Sequence, residues 1–106
     1  MSQPAEINRG VVEAALRAIG GEREQAWDNR SEDARDAYVR RLRQGAEEPS
    51  ELTALLTDSD AAVRWAGVPW LLRAEYVAWI NSGRTGFTRR RRAAFALRKA
   101  PADLPR

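Results

Sequence analysis

The sequence predicts an all-α protein: a compact multi-helix domain made of two similar helical units. Three observations predict this fold. Glycines and prolines that stop helices recur along the chain, runs of alternating apolar and polar residues are nearly lacking, and the chain matches itself at an offset of 38 positions. We expect a single domain over residues 1–106, with unit one at about 8–57, unit two at about 58–100 and a frayed tail at 101–106.

Local signals place the helices of the first unit. An apolar stripe marks the first helix, which Gly20 and Gly21 end. The residues of this stripe are Ile7, Val11, Val12, Ala15, Leu16, Ala18 and Ile19. A short segment follows at 23–27. Ser31 is expected to cap a longer helix, whose first residues are acidic and which ends at Gly45.

Four further helix signals follow in the rest of the chain. Ser50 is expected to cap a short helix, and Asp58 or Ser59 the next, at about 61–66. Gly67 and Pro69 end that helix.

The last two helices have a proline at one end each. Pro69 opens a longer helix that ends at Gly83. Thr88 is expected to cap the last helix, at about 89–99, and Pro101 to stop it.

The repeat rests on six matched pairs in one register. They are Trp27 with Trp65, Arg35 with Arg73, Tyr38 with Tyr76, Val39 with Val77, Leu42 with Ile80 and Gly45 with Gly83. We expect each tryptophan of the first pair to pack against the tyrosine-bearing helix of its own unit. A HEAT-type solenoid is an alternative suggested by residues 55–64, but it needs several stacked units and Pro69 interrupts its second helix.

Arg35 and Arg73 lie inside the apolar arc of their helices. An unpaired charge there would be unfavourable, so we expect both to be structural. Each guanidinium should reach a carboxylate or a carbonyl at a helix C-terminus.

Charge is distributed unevenly along the chain. Residues 1–60 carry 8 basic and 13 acidic side chains, whereas residues 61–106 carry 10 basic and 2 acidic ones. This asymmetry indicates either an anionic partner for the second part or an attraction between the two parts.

A basic run in the last helix is the candidate binding element. Its candidate residues for an anionic partner are Arg89, Arg91, Arg92, Phe95, Arg98 and Lys99. The partner could be an acidic protein, a nucleic acid or a membrane surface. In the structural alternative, the arginines engage acids of the first half and the aromatic ring is buried. We expect a buried ring within an exposed rim of arginines.

The usual catalytic devices are missing from the sequence. There is no histidine or cysteine, which excludes the common base, nucleophile and zinc sites. The sparse glycines do not form a phosphate loop, and Asp58 with Asp60 is better explained by helix capping than by metal binding. Spacing leaves a pair of carboxylates acting as acid and base open. We expect a protein that is not an enzyme and holds no cofactor or metal.

The second unit resembles the C-terminal helical domain of the bacteriocin-protection family, also called the YdeI/OmpD-associated family. The resemblance rests on residues 73–80, Arg-Ala-Glu-Tyr-Val-Ala-Trp-Ile, and on residues 88–92, Thr-Arg-Arg-Arg-Arg. It covers about 55–97, with a weaker copy at about 16–56. The sequence departs from the family pattern at Gly83-Arg84 and at Phe87, and the first unit lacks the Thr-Arg-x-x-Arg pattern.

The resemblance implies a bacterial, non-enzymatic binding module associated with tolerance of bacteriocins or antimicrobial peptides. Its contact element would be the basic C-terminal helix. The alternatives are a small nucleic-acid-binding protein that uses 89–99 for phosphate contacts, and an adaptor between proteins. Salt dependence separates a phosphate-binding surface from an apolar groove.

Composition is compatible with a cytoplasmic protein. The chain is 43% hydrophobic and 31% charged, which is too apolar for a disordered chain. No run approaches the roughly 20 apolar residues of a transmembrane helix, and residues 1–6 lack the pattern of a secretion signal. The absence of cysteine excludes disulfide bonds. A bacterial cytoplasm fits best.

Overall fold

Helices form the whole regular structure of the described chain. The computed structural model describes residues 5–45 and 47–102, and in these ranges no strand is present. The helices are α1 Ala5–Ile19, α2 Gly21–Asp28, α3 Glu32–Leu42, α4 Ser50–Leu55, α5 Ser59–Ala66, α6 Trp70–Asn81 and α7 Gly86–Ala102. The predicted all-α class is confirmed. Among the described residues, none of these helices is long and apolar enough to cross a membrane.

Most helix boundaries follow from the predicted caps and glycines. Gly20 and Gly21 have φ values of 69° and 66°, which lets α2 begin directly after α1. Gly45 ends the α3 region with a φ of 74°. The Ser31 hydroxyl accepts a hydrogen bond from the Ala34 amide at 3.2 Å. Of the two proposed caps of α5, Asp58 is the one observed.

Three predicted boundaries were wrong. Ser50 is the first residue of α4, and Pro49 holds the N-cap position, because its extended backbone leads directly into the helix. Thr88 lies inside α7 and does not cap it. The cap is Thr85, whose hydroxyl accepts a hydrogen bond from the Thr88 amide at 3.1 Å. Pro101 does not stop α7: it lies inside the helix, which includes Ala102.

Helix α6 is the centre of the core and packs against α1, α3 and α7. It is buried on most of its circumference, at Leu71, Leu72, Ala74, Glu75, Tyr76, Val77 and Ile80. One side of α6 joins the cluster that contains Val12, Leu16 and Trp27, and the other joins the cluster that contains Trp65. A central helix of this kind is apolar nearly all round. Glu75 is therefore an exception that needs a partner.

Helix α7 turns three fully buried alanines toward the core: Ala93, Ala96 and Ala100. Their small side chains let α7 approach its neighbours closely. It packs against α6, α4 and α5. The larger residues of α7 are consequently directed to its flanks and its outer surface.

Helix bounds recur at the predicted offset. Helices α2 and α5 have identical lengths and begin 38 positions apart. Helices α3 and α6 also begin 38 positions apart. Trp27 packs edge-on against Tyr38, with ring centroids 5.7 Å apart. Trp65 is buried in the same cluster as Tyr76, and its Nε1 donates to Glu48 at 3.2 Å. Equivalence of the two units in three dimensions stays a prediction.

Candidate functional site

The first half of the chain neutralises much of its own acidity. Arg9 and Arg17 of α1 form ion pairs with five carboxylates: Glu13, Glu24, Asp28, Glu32 and Asp36. The hydrogen bond from Arg9 lowers the pKa of Glu32, and the one from Arg17 lowers the pKa of Asp28. These five carboxylates therefore have arginine partners within the first half of the chain.

Two ion pairs among the described side chains link the halves. Arg23 lies 3.0 Å from Glu75, and Arg89 lies 3.2 Å from Glu51. Arg91, Arg92 and Arg98 belong to none of the ion pairs that the described side chains form. Attraction between the halves thus accounts for Arg89 but not for the other arginines of the predicted site.

Arg89 is anchored toward the protein. Besides Glu51, its guanidinium donates to the Asn81 backbone oxygen at 3.2 Å. A Cβ placed on Gly83 would lie 2.8 Å from the Arg89 Cγ, so the glycine makes room for the arginine stem. Arg89 therefore connects α7 to α4 and to the end of α6.

Aromatic rings support the other three arginines. Phe95 is partly buried, and its ring centroid lies 5.5 Å from that of Trp79. The Arg98 guanidinium lies 5.5 Å from the Phe95 centroid, and that of Arg92 lies 5.1 Å from the Trp79 centroid. Arg91 is exposed beside Phe87.

We call this surface the α7 patch: Trp79, Phe87, Arg91, Arg92, Phe95 and Arg98. It contains four of the six residues predicted for the site. Arg89 faces away from it, toward Glu51, and Lys99 is half-buried near the end of α7. Phe95 is partly covered, and the arginine rim is exposed at Arg91 and Arg98. Helical spacing grouped these residues correctly but did not show which arginine has a carboxylate within reach.

A buried carboxylate was missed at the sequence level. Glu75 is 0% exposed, and its two oxygens accept hydrogen bonds from the Tyr38 hydroxyl at 2.5 and 2.8 Å. Arg23 donates to Glu75 from Nε at 3.2 Å and from a terminal nitrogen at 3.0 Å. Burial raises the pKa of the Glu75 carboxyl and raises the pKa of Tyr38 to about 12.

One signal in the sequence could have revealed this group. Glu75 and Asp103 are the two acidic residues of 61–106, and Glu75 stands between apolar positions of a largely buried helix. An isolated acid in such a helix indicates a partner from another element. The partners lie 37 and 52 positions away, so no local spacing pattern connects them.

A cleft of about 570 Å³ lies beside this group. Arg23, Arg30 and Arg92 line it, together with the aromatic rings of Tyr38 and Trp79. The cleft thus meets the α7 patch at Arg92 and Trp79.

The arginines of the repeat have different environments. Arg35 donates to the carbonyls of Trp27 and Asp28, at the C-terminus of α2, at 3.2 and 3.1 Å, as predicted. The partner predicted for Arg73 was wrong, and its structural role stays a prediction. Its guanidinium lies 5.5 Å from the centroid of Trp70, and its buried Nε has no hydrogen-bond partner among the described residues. Trp70 stands where the first unit has Glu32, which lies 3.8 Å from Arg35.

Asp58 and Asp60 belong to the start of α5, as its N-cap and a residue of its first turn. The Asp58 side chain accepts hydrogen bonds from the amides of Asp60 and Ala61 at 2.8 and 3.3 Å. In the described part of the chain, no group of three or more acidic side chains could hold a metal ion.

Comparisons with protein-family models, with curated proteins and with solved structures found no match. What the fold and the surface define is a class, a small all-helical protein with a basic surface supported by aromatic rings. The resemblance to the bacteriocin-protection family remains a prediction based on residues 73–80 and 88–92.

Proposed function

We propose that this protein is a non-enzymatic binding module of the bacteriocin-protection type, active in a bacterial cytoplasm. Its α7 patch contacts an acidic segment of a partner protein. The resemblance described for the second unit and the basic charge of residues 61–106 support this proposal.

The observation that carries the proposal is the position of three arginines on aromatic rings. A guanidinium over a ring keeps its N–H groups at the edge, where they can bind a carboxylate in a bidentate manner. Arg91 and Arg98 are exposed, and no described carboxylate pairs with them. The patch therefore offers directed donors that lack an internal acid.

The composition of the patch favours a protein over a nucleic acid. Tryptophan, phenylalanine and arginine are enriched where protein interfaces are most buried. Stacking of bases needs open ring faces, whereas Trp79 and Phe95 each have a guanidinium over the ring and pack against one another. Arg89, which the nucleic-acid alternative requires, is bound to Glu51.

Binding of defined acidic probes tests the proposal. One probe is a labelled peptide in which glutamates alternate with leucine and phenylalanine, and the others are duplex DNA and vesicles of anionic lipid. We expect the peptide to bind best. Reversal of charge at Arg91 and Arg98 together should weaken peptide binding by about tenfold or more, as measured by fluorescence anisotropy.

The matched control reverses Arg40 and Arg43, two exposed arginines of the α3 region, which changes the net charge equally. This control should bind the peptide nearly as well as the native protein. An equal loss in both variants would mean that the whole charge and not the patch attracts the probe. Tighter binding of DNA than of the peptide, with a steep dependence on salt, would replace the proposal with the nucleic-acid alternative.

A further inference from the structure

A cleft lies between α2, α3 and the facing parts of α6 and α7. Its volume is about 570 Å³, within the range of sites for small molecules. Gly20 and Gly21 form part of its wall, and a Cβ added to either would meet no atom within 4 Å. The space beside them is therefore open to a ligand.

The charge of the cleft is mainly positive. Arg23 and Arg30 line it from the first unit, and Arg92 lines it from α7. Arg30 and Arg92 take part in none of the ion pairs among the described side chains. The charge of Arg23 is balanced by its ion pair with the buried Glu75. The carboxylate of Glu22 is exposed to solvent. Among the described side chains, Arg30 and Arg92 thus have no carboxylate at ion-pair distance, and Arg30 interacts with Glu75 only from farther away.

All three guanidiniums are held in position. Arg23 is fixed by Glu75 and by the Tyr38 hydroxyl, to which it donates at 3.2 Å. Arg92 donates to the Trp79 carbonyl at 2.7 Å and to the Ser82 hydroxyl at 2.9 Å. Arg30 lies 4.4 Å from the centroid of the Tyr38 ring. Side chains that are already ordered lose little entropy when a ligand binds.

We propose that this cleft binds the phosphate group of a small molecule. A guanidinium has five N–H donors, so the bonds already made leave donors on each arginine. A phosphate offers more acceptor oxygens and more charge than a carboxylate, which suits several guanidiniums around one cleft. The rings of Tyr38 and Trp79 and the side chain of Ile19 line space for an organic body beside the phosphate.

This inference goes beyond the proposed function and can be tested separately from it. Arg30 lines the cleft and does not belong to the α7 patch, whereas Arg91 and Arg98 do not line the cleft. Variants at these positions therefore separate the two sites. Arg92 and Trp79 are shared by both sites and are left unchanged in the tests.

Titration calorimetry with three probes tests the site: adenosine monophosphate, inorganic phosphate and adenosine. We expect both phosphate-containing probes to bind and adenosine to bind much more weakly. Tighter binding of the nucleotide than of inorganic phosphate would identify an organic phosphate as the ligand, and equal binding would identify free phosphate. Arg30→Gln should weaken binding of the phosphate probes by about tenfold, since one charged donor is lost.

Arg40→Gln is the matched control, and it should bind the probes as the native protein does. Arg30→Lys keeps the charge but lacks the planar fork, so its affinity should lie between those of the native protein and Arg30→Gln. The variant reversed at Arg91 and Arg98 should retain phosphate binding even where it no longer binds the acidic peptide. Equal binding of adenosine and adenosine monophosphate, or unchanged phosphate binding in Arg30→Gln, would overturn the proposal.

Discussion

The arginines of this protein belong to two sets with different environments. In the first set, Arg9, Arg17, Arg23 and Arg89 bind carboxylates and connect helices to one another. In the second set, Arg91, Arg92 and Arg98 lie against aromatic rings of α6 and α7. Sequence neighbours such as Arg89 and Arg91 thus fall into different sets, because one reaches Glu51 and the other does not.

The difference shows that arginine has two roles in this short chain, one in the fold and one at the surface. A guanidinium bound to a carboxylate is neutralised and contributes to the fold. A guanidinium against a ring is positioned by the ring but keeps its charge and its donors. We expect substitutions in the first set to change stability and substitutions of Arg91 and Arg98 to change binding. Arg92 donates to the Trp79 carbonyl as well, so its substitution should change both.

The largest effect is expected where the first set is buried. Glu75→Ala removes the acceptor of Arg23 and Tyr38 and leaves a cavity, and it should lower the free energy of unfolding by about 3 kcal/mol. Tyr38→Phe removes one hydroxyl and should lower it by about 1 kcal/mol. Chemical denaturation measures both values. A loss at Glu75→Ala no larger than at Tyr38→Phe would show that the carboxylate is not the centre of this group.

A smaller effect separates two neighbours in α7. Arg89→Gln breaks the contacts with Glu51 and Asn81 and should lower the free energy of unfolding by about 1 kcal/mol. Arg91→Gln is its matched control, with the same chemical change at an exposed position, and should change it by less than about 0.5 kcal/mol. Thermal melting of the two variants under one condition compares them. Equal losses would remove the distinction between the two sets.

The smallest effect concerns pH. Burial raises the pKa of Glu75 in the folded protein, so there is a window above the ordinary carboxyl pKa in which the folded chain holds a proton that the unfolded chain has released. The stability that the proton on Glu75 contributes to the folded protein is therefore lost as the pH rises through this window. Glu32 and Asp28, whose pKa values are lowered, contribute with the opposite sign, lost as the pH falls.

Glu75→Gln isolates this contribution. The variant resembles the protonated side chain, so the stability of the native protein relative to the variant should decrease as the pH rises above about 4.5. Denaturation curves at several pH values give the difference. An increase with pH would mean that Arg23 and Tyr38 favour the charged carboxylate more strongly than burial opposes it.

Much of the fold could be predicted because its signals are local. Gly20, Gly21 and Gly45 occupy positions of positive φ, and Ser31 and Asp58 cap the helices that follow them. The capping errors were also local, since Thr85 and Thr88 are both competent caps and sequence does not decide between them.

The candidate site was predictable only in part. The group of Arg91, Phe95 and Arg98 follows from helical spacing within α7. The group of Arg23, Tyr38 and Glu75 depends on how three separate helices pack, and the contact of Arg89 with Glu51 depends on the position of α4. Contacts of this kind follow from tertiary structure, which a periodic pattern does not specify.

The alanine face of α7 has a consequence for how this helix is held. Ala93, Ala96 and Ala100 have no side chains long enough to interlock with α6, so the buried side of α7 is smooth. Its rotation about its own axis is then held from the flanks, by Arg89 on Asn81, by Arg92 on Trp79 and by the Phe95 ring against Tyr76 and Trp79. Contacts at the flanks of α7, and not its buried face, therefore determine the direction in which Arg98 points.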